Sequence, residues 1–298
     1  MAYHSIFRTD LFAERVVVVT GGGTGIGRCT AHELAALGAH VVLLGRRPAP
    51  LEATAAEIRE DGGSAEWHPC DIRDEERVGA TIASIAEAHG RIHSLVNNAG
   101  GQFSAPLAEM SGKGFETVVR TNLVGGFLVA REVHARSMRD HGGSIVNVTA
   151  DYERGVPFMG HSAAARAGMA NLTRTLAVEW AASGVRVNAV APGYIASSGY
   201  DTYDGEPFQE LLARLPGITL AQRHGTESEV SAAIVFLLSD AAAYITGAEL
   251  TVTGGSDILT GLFTVPSHDR LPPFEAFHRA TRPAALDAVA PEPPDGSA

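Results

Sequence analysis

With 298 residues, 45% of them hydrophobic and 19% charged, the chain is long enough to bury the core of one large domain and too apolar to remain unfolded. A formal net charge of −11 with no Lys/Arg cluster argues against a nucleic-acid partner, and no apolar run approaches the roughly 18 residues that cross a bilayer. The first ten residues carry no signal-peptide core, so a cytoplasmic location is expected, and Cys29 and Cys70 fit neither a CxxC pair nor a metal spacing, so both are expected as reduced, buried thiols with no metal site.

Taken in order, the elements alternate. Residues 15–20 are a β-branched run bounded by glycines, the pattern of a strand buried on both faces of a parallel sheet. A helix to about 38 and a strand at 40–44 follow, then helix 51–61, strand 65–70, helix 74–89 and strand 94–97. A single long helix is expected over 113–140, with Phe127, Val129 and Val133 on an apolar face available to a second copy of the chain. Strand 144–149, helix 162–182, strand 185–191, a loop-rich insert, helix 227–239 and strand 250–253 complete the series. Seven strands with crossover helices predict an α/β fold, one doubly wound parallel sheet of Rossmann type. The domain is expected over 15–281, preceded by an extension at 1–14 and followed by a loose, Pro/Ala-rich tail at 282–298.

Gly21, Thr24, Gly25, Ile26 and Gly27 lie between the first strand and the first helix, where glycines let backbone approach a pyrophosphate and the helix N-terminus offers N–H donors. At the end of the second strand, where an acid would bond a ribose 2′-hydroxyl, stand Gly45, Arg46 and Arg47. A guanidinium matches a 2′-phosphate, which favours NADP(H).

The glycine loop, Asp71 after the third strand, Asn97–Asn98–Ala99–Gly100 after the fourth, Asn122 in the long helix and Pro192–Gly193 after the sixth together resemble the short-chain dehydrogenase/reductase family over about 15–255. The resemblance implies that Asp71, Ile72, Asn98, Gly100, Arg166, Pro192, Gly193 and Ile195 join the loop in holding the cofactor. It also implies an assembly of two or four copies, with the long helix after Lys113 and the helix at 162–182 buried between them. Where the family carries its catalytic Tyr, and a Lys four residues later, this chain has Ser162 and Arg166, and its only Lys is Lys113. Ser162 donates a hydrogen bond but is far too weak an acid to replace a phenol, and Arg166 stays charged and relays no proton.

Hydride addition to the β-carbon of an unsaturated thioester tolerates that loss, because the developing enolate mainly needs donors at its oxygen. The segments 97–103, 161–168 and 265–269 resemble the Tyr-less peroxisomal trans-2-enoyl-CoA reductases. Mitochondrial 2,4-dienoyl-CoA reductases take a Tyr five residues beyond a strand Asn, and here Tyr152 follows Asn147 by five; the intervening loop is one residue shorter and Lys has become Arg. Related bacterial chains are called citronellol/citronellal dehydrogenases. Ser162 is then the carbonyl-oxygen donor, Tyr152 a second donor or acid, Thr149 a weak donor in place of the family Ser, Asn122 a brace or water ligand, and His161 a source of the α-proton. Tyr194, Tyr200, Tyr203 and Phe208 would line an acyl or terpenoid pocket, or form the core of a lid. Three readings follow: an NADPH-dependent C=C reductase, an alcohol dehydrogenase or carbonyl reductase working through Tyr152, and a silent NADP-binding sensor or scaffold.

Overall fold

In the computed structural model, which describes residues 3–203, 206–259 and 265–287, the first β-branched run is β1, Val16–Thr20, with all five residues buried. β2 is His40–Gly45, β3 Ser64–Pro69, β4 Ser94–Asn97, β5 Gly143–Val148, β6 Val185–Pro192 and β7 Glu249–Val252. All pair in parallel in the order β3-β2-β1-β4-β5-β6-β7, the expected doubly wound sheet. The order reverses between β1 and β4, so the carboxyl ends of these two strands open a crevice where loops diverge to opposite faces.

The crossover helices cover both faces. α1 is Gly25–Ala36, α2 Pro48–Glu60 and α3 Glu75–His89. One core joins Val17, Val19, Val41 and Leu43 to Leu34, Ile58, Ile234 and Val235; the other joins Val18, Val42 and Leu44 to Ile82, Ile85, Val129, Val133 and Leu176. The alternation of residues along β1 and β2 assigns each side chain to one core or the other, and parity does the sorting. Val129 and Val133 are fully buried in the second core, so the apolar face expected to meet another copy is spent inside the protomer. Phe127 is half-buried, with the Arg131 guanidinium 5.7 Å over its ring.

The long helix expected over 113–140 is interrupted. α4, Gly112–Val119, passes through a π turn at Arg120–Gly125 into α5, Gly126–Val133, and a second π turn at His134–Met138 leads to α6, Arg139–His141. A wider turn frees a backbone carbonyl from the i→i−4 ladder. Asn97 Nδ2 donates to Gly126 O at 2.7 Å, and a Cβ at Gly125 or Gly126 would strike Ile72 or Met169. The first π turn is therefore where the helix is pressed against the ends of β3 and β4, and it carries Asn122.

α7 is Gly160–Glu179, α8 Glu206–Arg214 and α9 Glu227–Leu238, the last opened by a capping box between Thr226 and Glu229. Both cysteines are free and buried. The tail expected to be loose begins as a docked turn, α10, Ala284–Asp287, because Leu286 finds an apolar seat against Leu212 and Leu215; 288–298 lie outside the described residues. The preceding strap fastens to α1 and α2: Arg279 and His278 both hold Asp61, at 2.7 and 2.9 Å, and Arg28 donates to Arg279 O. Among the described residues no helix is long and apolar enough to cross a membrane.

Candidate active site

The glycine loop folds as its residue types require. Gly21 sits at φ +66° and Gly25 at +58°, left-handed values that side chains rarely adopt, and a Cβ at Gly27 would overlap Gly21 O. Thr24 is the N-cap of α1, and its side chain accepts no bond from the helix. Asn98 fixes the loop from beneath, Nδ2 donating to Thr20 O at 3.0 Å while its backbone N–H donates to Thr20 Oγ1.

Gly21, Thr24, Arg46, Arg47, Asp71, Ile72 and Gly100 line one groove over the switch point. Arg46 and Arg47 are exposed at its rim. Asp71 is held by a two-pronged pair with Arg73, with 2.6 Å to Nη2, and that bond keeps its carboxyl below the usual aspartate range. Pro192 ends β6, Gly193 donates to Val252 O, and Ile195 is buried beyond it, bridging Gly225; these three lie outside that groove, on the far side of the α1 N-terminus, where Ser197 and Ser198 approach Gly25.

Arg166 projects from α7 beneath Gly100, where its guanidinium takes the space a Cβ would need, and its Nη1 donates to Val148 O at 2.6 Å. Burial brings the group down to about 10, still a cation at neutral pH.

Ser162, in the first turn of α7, is buried with two partners. Its Oγ donates to Gln102 Oε1 at 2.5 Å and accepts from Asn122 Nδ2 at 3.3 Å; Asn122 Oδ1 in turn accepts from Gly101 N–H at 2.9 Å. Gln102 Nε2 donates to the Tyr203 hydroxyl at 2.8 Å, tying this cluster to the loop beyond β6. His161 is fully buried; its Nδ1 accepts from Ser162 N–H at 2.7 Å, and its Nε2 has no partner among the described residues. That acceptor role puts the proton of the neutral ring on Nε2. The ring stands edge-on to Phe103, 4.5 Å between centroids. Phe103, Leu107 and Phe158 at the mouth are 40%, 60% and 56% exposed, and Phe158 holds a left-handed φ of 65°.

Thr149 and Tyr152 form a second group. Both hydroxyls donate to the carboxylate of Glu249 at the start of β7, Thr149 at 2.6 Å to Oε1 and Tyr152 at 2.7 Å to Oε2. Burial first, and the carboxylate second, push the phenol far above its ordinary value. The structure thus brings Asn122, Ser162 and Arg166 together against the Gly100–Gln102 turn, and gives Thr149 and Tyr152 to a different partner. Gln102 and Glu249 were not singled out by the sequence reading. Gln102 is two residues beyond the Asn–Ala–Gly turn, which was the one signal available; Glu249 had none.

The aromatic loop packs on itself. Tyr203 lies 4.8 Å from Phe208 and Tyr200 6.1 Å, while Tyr200, Tyr194 and Phe208 cover Leu212, Leu215 and Leu286. It is a small lid core whose one polar reach into the site, among the described residues, is Tyr203.

Residues 21–257 match the family described as Enoyl-(Acyl carrier protein) reductase. The chain is 35% identical over 261 residues to a peroxisomal 2,4-dienoyl-CoA reductase of Danio rerio, covering 85% of each chain. It is 37% identical over 246 residues to a probable 2,4-dienoyl-CoA reductase of Bacillus subtilis, covering 81% of this chain and 96% of that one. Among solved structures it superposes with TM-score 0.77 on a citronellol catabolism dehydrogenase of Pseudomonas aeruginosa, 60% identical, covering 86% of this chain and all of the other.

Proposed function

Because the chain belongs to the short-chain dehydrogenase/reductase family, a family of nicotinamide-dependent oxidoreductases, we propose that it uses NADP(H) to reduce an activated C=C bond, with an enoyl thioester as substrate. The observation that carries this reading is the Gln102–Ser162–Asn122 cluster: one buried hydroxyl, held by two amides, in place of a phenol.

A dinucleotide would lie along the groove and the adjoining glycine loop. Gly21, Thr24, Gly25, Ile26 and Gly27 would hold the pyrophosphate, Asp71, Ile72, Asn98 and Gly100 the adenine and ribose side, and Arg46 with Arg47 a 2′-phosphate. Beyond the groove, Arg166 would bond the nicotinamide ribose, with Pro192, Gly193 and Ile195 around the ring. When bound, the cofactor supplies the hydride. The chain supplies the oxygen site: Ser162 turns its hydroxyl from Gln102 to the substrate carbonyl and donates most strongly as enolate charge develops, with Asn122 holding Oγ in place. The α-carbon would take its proton from water, because with Nδ1 accepting from Ser162 N–H the His161 ring is a neutral imidazole whose Nε2–H is too weak an acid to supply one. The apolar rim of Phe103, Leu107 and Phe158 suits an acyl chain.

A second reading, dehydrogenation of an apolar alcohol, is favoured by the 60% identity to the citronellol catabolism dehydrogenase. It would need Tyr152 as proton carrier, which the Glu249 bond opposes by raising the phenol. Assaying crotonyl-CoA, an enal, citronellol and a simple ketone with NADPH or NADP⁺, and NADH or NAD⁺ beside them, decides the matter. Faster turnover of the thioester with NADPH is expected; rapid alcohol oxidation with an inert thioester would overturn the reading, and no turnover of any would leave a nucleotide-binding protein.

The protein is further proposed to self-associate, not through Val129 and Val133 of the long helix but through the end of α7, the other helix expected at an interface, and the β7 edge. Val178, Tyr244 and Leu250 are exposed around the unpaired edge strand β7, a surface of the kind that pairs with a symmetric copy.

A further inference from the structure

At the opposite edge of the sheet, histidines and a carboxylate converge where none of the site chemistry reaches. The register pairs His40 with Ser64, Val42 with Glu66 and Leu44 with His68, so His40, Ser64, Glu66 and His68 share the face of the sheet that α3 covers. The last residue of α3, His89, comes down on the same spot. Glu66 Oε1 lies 3.0 Å from His89 Nε2 and 3.1 Å from His68 Nε2; Glu66 Oε2 lies 3.7 Å from His40 Nε2; the rings of His40 and His89 are 4.7 Å apart.

His40 is the telling member. Its Nδ1 is 2.7 Å from Ser64 Oγ, while its buried Nε2 has no hydrogen-bond partner among the described residues. At 3.7 Å the Glu66 oxygen is too far for a hydrogen bond. If Nδ1 carries the proton and donates it to Ser64, Nε2 turns a lone pair toward a carboxylate oxygen, and two acceptors face each other. A cation resolves that opposition, and a metal-bound histidine ordinarily donates its other N–H to such a neighbour. Ligand atoms of His40, Glu66 and His89 all fall within 4.8 Å of one another, a spread that one ion spans.

We propose that His40, Glu66 and His89 form a binding site for a first-row divalent cation of zinc type, with Ser64 orienting His40, His68 flanking Glu66 and water completing the coordination. Two imidazoles and one carboxylate are ligands of intermediate softness, suited to zinc, cobalt or nickel and poorly suited to calcium or magnesium. The ion would fasten the edge strand β3 to β2 and to the C-terminal turn of α3. It lies at the amino-terminal end of β2, whereas the cofactor groove opens at the carboxyl ends, so its role is structural.

The test uses the whole chain, stripped with EDTA and dialysed. Titration with Co²⁺ should give one equivalent bound per chain with visible d–d absorption, and Zn²⁺ should displace it and raise Tm. Ser64→Ala should weaken binding by about 10–100-fold, the usual cost of losing an outer-sphere partner. His89→Gln and Glu66→Gln should each weaken it further, and His141→Gln, an exposed histidine outside the cluster, should leave it unchanged. Metal-free Tm of each variant reports folding separately from binding. Absence of cobalt uptake by the parent chain, or uptake that survives both His89→Gln and Glu66→Gln in folded protein, would overturn the proposal.

Discussion

Ser162 is a buried hydroxyl whose proton rests on Gln102 until something better is offered. Its replacement by Ala should lower kcat on an enoyl thioester by roughly 10²–10³, the scale of one lost oxyanion donor, with the dissociation constant for NADPH unchanged in fluorescence titration. Arg46→Ala should weaken NADPH by about 1–3 kcal/mol and leave NADH nearly untouched, because only the 2′-phosphate distinguishes them. A pH effect is expected from Glu227, which burial pushes up to about 7 from an ordinary 4.5. The fold favours its protonated form, so its contribution is complete below about 4.5 and is lost as pH rises through about 7. Thermal melts from pH 5 to pH 8 should therefore show a smaller decline for Glu227→Gln than for the parent; identical slopes would remove Glu227 from the account. At this scale the sequence was legible where chemistry is written in residue type: a Ser and an Arg in place of Tyr and Lys need no structure to be seen. It was silent on Gln102 and Glu249, because their partners stand 60, 97 and 100 positions away along the chain and no local pattern links them.

Elements were read best where one physical rule governs them. The inner strands β1, β2, β4, β5 and β6 were visible as apolar runs because a parallel sheet covered on both faces demands it, whereas the edge strands β3 and β7 carry polar residues and were placed by the rhythm of the series. The π turn around Asn122 was not, since helical periodicity carries no record of what the helix is pressed against; the cause is the contact of Gly125 and Gly126 with Ile72, Met169 and Asn97. Gly126→Ala should cost about 1–3 kcal/mol by overpacking that seam, measured by denaturant unfolding. The tail likewise read as loose from composition, while a single Leu286 in the right place docks its first turn. For the loop beyond β6, Tyr203→Phe removes the bond to Gln102 while keeping the ring against Phe208. It should raise KM for the acyl substrate several-fold, on the scale of about 1 kcal/mol for a neutral hydrogen bond, without changing NADPH affinity.

Across the whole molecule, the two unpaired sheet edges differ in chemistry. β3 carries His and Glu, whereas β7 is flanked by Tyr244, Val178 and Leu250 in full or partial exposure. Sedimentation should show a homo-oligomer at micromolar concentration, and the double change Tyr244→Asp, Leu250→Lys should shift it toward monomer; a parent chain that sediments as monomer would leave the β7 edge unexplained. The balance of cations has its own outcome at this scale. Of 23 basic residues one is lysine, Lys113, exposed in the first turn of α4, where the neighbouring Gly114 packs against Phe103 at the site mouth. An amine-reactive fluorophore thus has a single side-chain target, and it lies beside the entrance. Labelling at Lys113 makes the native chain its own reporter of substrate entry, with no cysteine engineering and no loss of the arginines that carry the rest of the positive charge.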